Sequence, residues 1–181
     1  MKFERILENG RLWAVVYEED SVNVLDRVFT EWNDYEWLRS FFTRHADDLS
    51  SYFHITDIDR AIFDTVDDAN ELEGLILDID PDANLDDLFR PLENTRMSEV
   101  LLGREKAKGR NRTHASWLRL YAIRLESGRY IITGGAIKLT ATMQEREHTL
   151  EELKKLNSVR EYLITLGIVD YKGFEDYNEE R

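Results

Sequence analysis

Five cations fall within nine residues of this chain: Arg104, Lys106, Lys108, Arg110 and Arg112, each one residue from the next. Lysine and arginine are the side chains that hold phosphates, so this run is the chain's most favourable place for a polyanion. Glu105 is the one acid among them, and little apolar surface anchors the segment. The pattern predicts a basic loop over 103–116, mobile until a ligand orders it. His114 stands just after the run and His148 some thirty residues on, each with the one side chain whose ordinary pKa lies near neutrality. His45 and His54 have no partner at metal-ligand spacing. The acidic stretch DIDPDANLDDLF invites a calcium loop but fails the pattern. Its sixth position is Ala83 rather than Gly, Pro81 interrupts it, and no Glu closes it at the twelfth position. No cysteine is present, which excludes thiolate chemistry and a disulfide scaffold. No glycine-rich phosphate cradle and no Gly-x-Ser-x-Gly elbow occurs.

The charge is uneven. Residues 1–100 carry 25 Asp and Glu against 9 Lys and Arg, whereas residues 101–166 carry 7 against 13. The formal net charge of -13 therefore conceals a basic island inside an acidic chain. Such an island suits a polyanion-binding face, and equally suits an acidic lobe packed beside a basic one. The start, MKFERILENG, lacks the apolar core of a signal peptide, and no run approaches the ~20 apolar residues of a membrane span. The expectation is a soluble cytoplasmic protein with no membrane partner.

The elements that must position these groups follow from periodicity. Two alternating runs, Leu118 to Leu125 and Tyr130 to Leu139, flank Ser127-Gly128 and predict a β-hairpin. Arg119 and Tyr121 share one face of its first arm, and Arg124 lies on the other, so Arg119 and Arg124 share a pocket only across a bulge. Gly134-Gly135 within the second arm predicts a bulge or a close backbone approach. A helix over 144–166 follows, with Leu150, Leu153, Leu156, Val159, Leu163 and Leu166 as its apolar stripe and Gly167 beyond its end. Tyr171, Phe174 and Tyr177 mark a short docked tail.

Upstream, Asn9-Gly10 between short apolar runs predicts a second hairpin that needs a docking surface. Val24, Leu25, Val28, Phe29 and Trp32 predict one helix, and Trp37, Leu38, Phe41 and Phe42 a second opened by Asn33-Asp34. Thr56 and Asp59 have the layout of a capping box before a long helix to about Ile79. Together these predict an α+β protein: an acidic, mainly helical lobe with its hairpin over 1–83, then an antiparallel sheet flanked by helices over 84–181.

The stretch LRLYAIRLESGRYIITGGAIKLTATM resembles the middle of the RelE/ParE-type toxin superfamily, nearest its HigB-like, phage-derived branch. Arg119 and Tyr121 hold a contracted form of that family's Arg-x-x-Tyr strand. Gly135 to Thr140 match its Gly-Phe-x-Lys-Lys-Thr segment, with Ala136 in place of the aromatic and Leu139 in place of the second lysine. LFRPLENTRMSEV sits where the family has a segment reaching toward its central strand, and the likeness covers about residues 85–166. It implies a RelE-like fold in the second lobe and a metal-independent endoribonuclease without cofactor. It also implies that messenger RNA at the ribosome is the target and a helix-turn-helix antitoxin the partner.

The chemistry so implied needs cations to hold the phosphate, a group to activate the 2′-hydroxyl and an acid for the leaving oxygen. Arg119 and Lys138 would take the cationic roles, His114 and His148 the acid–base roles. Tyr121 would stack a base or donate a proton. Arg104, Lys106, Lys108, Arg110, Arg112 and Arg124 would contact the RNA backbone. The missing second lysine and the excess acid suggest an alternative, a non-catalytic interaction protein retaining the toxin-like scaffold. Its acidic lobe would lie over the basic face as a shield.

Overall fold

The computed structural model describes residues 1–93 and 101–180 of the chain. Within them it is α+β, with six helices and a six-stranded mixed sheet. The strands are β1 (Lys2–Arg5), β2 (Leu12–Val16), β3 (Arg90–Pro91), β4 (Gly103–Lys108), β5 (Leu118–Glu126) and β6 (Arg129–Ile137). Their order across the sheet is β1-β2-β6-β5-β4-β3.

The hairpin read from the alternating arms is β5–β6, with its turn at Ser127-Gly128 and Gly128 at φ +71°. The N-terminal hairpin is β1–β2, and its docking surface is β6: Leu12, Trp13 and Ala14 pair in parallel with Tyr130, Ile131 and Ile132. The sheet is therefore mixed rather than antiparallel throughout, and strands from residues 1–83 and from 84–181 share it. A two-stranded ribbon is marginal alone, and this pairing removes one of its edges.

Helices α1 (Val24–Asn33), α2 (Tyr35–Arg44), α3 (Ala46–Phe53) and α4 (Ile58–Leu77) follow β2. The stripe Val24, Leu25, Val28, Phe29 and Trp32 is buried as its spacing requires. Asp34 opens α2 by accepting the Glu36 and Trp37 amides. The cap of α4 is Asp57, one residue after the predicted Thr56: its carboxylate accepts the Arg60 amide. Helix α3 has no counterpart in the periodicity, and it ends at His54, whose φ of 55° is left-handed. The acidic stretch that failed as a calcium loop forms a turn and a short 3-10 segment, Leu85–Asp87.

The main correction concerns the predicted basic loop. Residues Gly103–Lys108 form β4, paired along its whole length with β5 and along its outer side with β3. The reason is the period of two: Glu105 and Ala107 are buried on one face while Arg104, Lys106 and Lys108 line the other. The cations made a strand look like a loop. Only Gly109 to Trp117 connects β4 to β5 without regular structure.

Helix α5 (Glu147–Thr165) follows a short 3-10 turn at Met143–Glu145, closed by reciprocal hydrogen bonds between Thr142 and Glu145. Its buried positions are Thr149, Glu152, Leu156, Val159 and Leu163, with Leu153 half-buried and Leu166 exposed. The expected apolar stripe is thus shifted, with a threonine and a glutamate among its buried members. Helix α6 (Tyr171–Glu179) docks through Phe174, which is fully buried edge-on to Phe3 and Trp13.

Gly134 and Gly135 show why β6 needs glycine. The β5–β6 register skips Thr133, so a bulge sits between the Tyr121–Gly134 and Ala122–Ile132 pairs. A Cβ on Gly135 would meet Val28 of α1 at 3.0 Å, and one on Gly134 would lie 1.8 Å from Oε2 of Glu152 on α5. Successive strand residues point to opposite faces, so α1 and α5 flank β6 from opposite sides.

Candidate functional site

The α5 side of the sheet carries two cross-strand rows. Residues directly opposite in register share a face. Arg90, Lys106, Tyr121 and Gly134 form one row across β3, β4, β5 and β6. Lys108, Arg119 and Ala136 form the next. Lys138 lies two residues past Ala136 on the same side, its amide donating to the Trp117 carbonyl. Beside α5 these rows line a depression of about 440 Å³ that brings Arg104, Lys106, Lys108, Arg119, Tyr121 and Lys138 together. Helices α1–α4 contribute none of its lining residues, so the acidic lobe forms no shield over it.

The cations differ in what holds them. Arg104 is paired, donating to Glu93 at 2.8 Å and to Asn157 at 3.0 Å. Among the described residues Arg119 donates only to carbonyls, those of Ser116 at 2.7 Å and Leu118 at 2.8 Å. Lys106 donates to the Leu92 carbonyl, and Lys138 to those of Thr140 and Ala141. Among the described residues, none of Lys106, Lys108, Arg119 and Lys138 has a carboxylate partner.

That crowding appears in their protonation. Burial, then the neighbouring Lys108 and Arg119 charges, lower the Lys106 ammonium. Repulsion by Arg119, then burial, lowers Lys108. Burial, then Arg119 and Lys106, lowers Lys138. The guanidinium of Arg119 stays charged at any ordinary pH. A dianionic or polyanionic ligand would relieve this repulsion and raise all three lysines.

Tyr121 forms the floor. It is 1 % exposed, and its hydroxyl has no hydrogen-bond partner among the described residues. Burial raises its pKa, which keeps the phenol neutral and a donor; the expected stacking of a base on this ring is excluded by its burial. Behind it, Glu152 presses on Gly134, and burial raises its carboxyl despite the Lys155 ammonium at 2.8 Å.

The remaining sequence candidates lie elsewhere. The imidazole of His114 contacts the Asp64 carboxylate at 2.9 Å and stacks on Trp117, 4.3 Å between centroids. His148 contacts the Ile137 carbonyl at 2.8 Å and packs against Phe41 and His45. Neither lines the depression, so the expected pairing of these histidines with Arg119 and Lys138 is not formed. Arg112 is exposed and lines neither this depression nor the neighbouring one that Arg110 borders.

Arg124 is on the opposite face of β5, as the alternation requires. There it joins a knot around Asp86, whose carboxylate accepts from Ser127 Oγ at 2.6 Å, the Gly128 amide at 2.8 Å, Arg124 at 3.4 Å and the Tyr130 hydroxyl. Burial would raise Asp86, but these donors together hold it well below the usual carboxylate range. Arg124 is a structural cation.

Sequence reading missed Arg90, because a two-residue strand ending in proline has no period to detect. It also missed Glu152, whose signal was the glycine pair that makes room for it.

Residues Asn94 to Val100, part of the segment likened to the reaching arm of the RelE/ParE family, lie outside the described residues. Among those described, no group of three or more His, Cys, Asp or Glu is placed to hold a metal ion, and no helix is long and apolar enough to cross a membrane. Comparison of the chain with protein families, curated proteins and solved structures finds no match.

Proposed function

We propose that this protein is a toxin-like component of a toxin–antitoxin or phage-derived system, of RelE/ParE type. In this reading it acts in the cytoplasm, binds messenger RNA in the Arg119–Lys138 depression and cleaves it without a metal. A helix-turn-helix antitoxin is its partner. The observation that carries this reading is the convergence of Lys106, Lys108, Arg119 and Lys138, without a carboxylate partner among the described residues, over the neutral hydroxyl of Tyr121.

The chemistry runs through lysine rather than histidine. A lysine whose pKa is depressed by like charge is a better base at neutral pH than an ordinary one. It takes the proton of a 2′-hydroxyl, and the oxygen attacks the adjacent phosphorus. The 5′-oxygen leaves with a proton from a second lysine, giving a 2′,3′-cyclic phosphate and a 5′-hydroxyl. Arg119 stabilises the charge that develops on the phosphoryl oxygens, where one well-placed donor is worth about 100-fold or more in rate.

Purified protein added to a translation mixture should cleave the message, and Arg119→Ala with Lys138→Ala should lower the rate by at least about 100-fold. Intact RNA with wild-type protein, and unaffected growth on its expression, would remove the enzyme reading.

A second reading is a non-catalytic interaction protein on the same scaffold. It is favoured by the placement of His114 and His148 outside the depression. RNA retained at low salt yet uncut by wild type would select it.

A further inference from the structure

The basic face does not end at the Arg119 depression. A second hollow of about 470 Å³ lies over the outer edge of β4, and it shares Lys106 and Lys108 with the first. Its remaining walls include Arg90 and Arg110 on the charged side and Leu88 and Pro91 on the apolar side. Arg90 is opposite Lys106 in register, and Arg110 follows Lys108 by two residues beyond Gly109. Lys138, just past the end of β6, Arg119 on β5 and Lys108 on β4 thus mark one track of cations at about 5 Å per strand, and Arg110 lies just beyond the end of β4.

We infer that this second hollow is an additional nucleotide subsite. A single strand would lie across β4 with one phosphate between Arg119 and Lys138 and the next nucleotide held by Arg90 and Arg110. Lys106 and Lys108 bridge the two.

Three features support a strand rather than a small anion. The hollows are contiguous, so one ligand can fill both. Each is large enough for a nucleotide-sized group, as small-ligand sites begin near 300 Å³. The second pairs an apolar wall with cations, the combination that takes a base and its phosphate together. A duplex carries its phosphates on a convex outside and its bases stacked within, so it cannot lower a base into either hollow.

The anchoring of Arg90 fits this role. Its guanidinium donates to the Asp86 and Phe89 carbonyls, which fixes the side chain at the rim, and the residue stays exposed. Asp87, also at this hollow, is a carboxylate that accepts a base amino group. The subsite rests on the RNA-binding reading above, and the test separates the two.

The experiment is a fluorescence-anisotropy titration of the full chain with a mixed-sequence single-stranded RNA 12-mer, a nucleoside 5′-monophosphate, and a 12-base-pair RNA duplex. A 2′-O-methyl group on every ribose blocks the attacking hydroxyl, so no cleavage occurs during the measurement and the strand keeps its ribose backbone. The variants are Arg90→Gln with Arg110→Gln, which keeps a donor for the two carbonyls, and Arg119→Ala alone.

The inference requires three results. Wild type binds the single-stranded 12-mer at least tenfold more tightly than the mononucleotide or the duplex. The Arg90/Arg110 variant loses about tenfold for the 12-mer, with a salt slope flatter by about 1.4 for two lost phosphate contacts, and keeps its mononucleotide affinity. Arg119→Ala weakens both ligands. If the Arg90/Arg110 variant binds the 12-mer as wild type does, the subsite is overturned and the Arg119 depression stands. A duplex bound as tightly as the single strand also overturns it, in favour of a general polyanion surface. If wild type binds neither the 12-mer nor the mononucleotide, the RNA reading itself falls. Unchanged thermal melting in each variant confines a loss of binding to the surface.

Discussion

Two arginines on β5, five residues apart, have opposite fates. Arg124 reaches Asp86, a carboxylate that also accepts from Ser127, Gly128 and Tyr130, and its charge is spent in tying the β5–β6 turn to the segment before β3. Arg119 has only carbonyl partners among the described residues and stands among lysines that are lowered by its presence. The first arrangement is complete without a ligand. The second gathers like charges that repel one another until an anion arrives. Residue type is identical, so the difference lies in which face the alternation selects and what the chain places opposite.

The comparison breaks most sharply if the open site is given the closed site's partner. Ala141 is exposed and lines the Arg119 depression. Ala141→Glu should place a carboxylate among the cations and lower affinity for single-stranded RNA by about 100-fold at low salt, read by anisotropy, at unchanged melting temperature. Full affinity in that variant would show that the cations do not act on the ligand.

The converse change removes the partner from the closed site. Asp86→Ala leaves Arg124, Ser127, Tyr130 and the Gly128 amide without their shared acceptor. The expected loss is about 3 kcal/mol of stability by urea unfolding, with the RNA affinity of the folded protein kept. The carboxyl of Asp86 is depressed in the folded state, so its contribution is present above the unfolded value near pH 4. It is lost as pH falls below that value. Wild type should therefore lose more stability than Asp86→Ala on acidification below about pH 4.

A buried carboxylate with no lysine or arginine partner among the described residues supplies the third case. Asp68 is 4 % exposed, and burial pushes its carboxyl up to about 6, opposed by hydrogen bonds from Asn111 and Ser116. For an acid raised on folding, stability is greatest below the unfolded pKa and falls as pH rises through the folded one. Wild type should thus lose about 2 kcal/mol between pH 4 and pH 6.5, and Asp68→Asn should flatten that decline. An equal decline in the variant would assign it to other groups.

The smallest effect is a titration. Arg119 is the leading cause of the lowered Lys108 pKa. Arg119→Ala should move the Lys108 ammonium titration, followed by NMR of the side-chain nitrogen, to higher pH. No movement would mean that the two charges do not sense each other.

Much of this molecule is legible in its residues. The alternation of Leu118 to Leu125 and Tyr130 to Leu139 set the β5–β6 hairpin, and Ser127-Gly128 set its turn. The period of α1 named its five buried residues. The parity of β5 separated Arg124 from Arg119. Each of these depends on neighbours a few residues apart, where local sterics and burial of one face decide the outcome.

Tertiary structure decided the rest. Gly103–Lys108 is a strand because β5 and β3 supply hydrogen bonds on its two sides, which no run of lysines announces. The parallel pairing of β2 with β6 joins segments more than a hundred residues apart, beyond the reach of any local signal. Both histidines were drawn from the cationic face by partners that local periodicity does not announce, Asp64 for His114 and the Ile137 carbonyl for His148. The five alternating cations were visible from the start. That three of them meet Arg119 and Lys138 on one face required the register of three strands, because strand alternation fixes a side chain's face but only pairing fixes its neighbours.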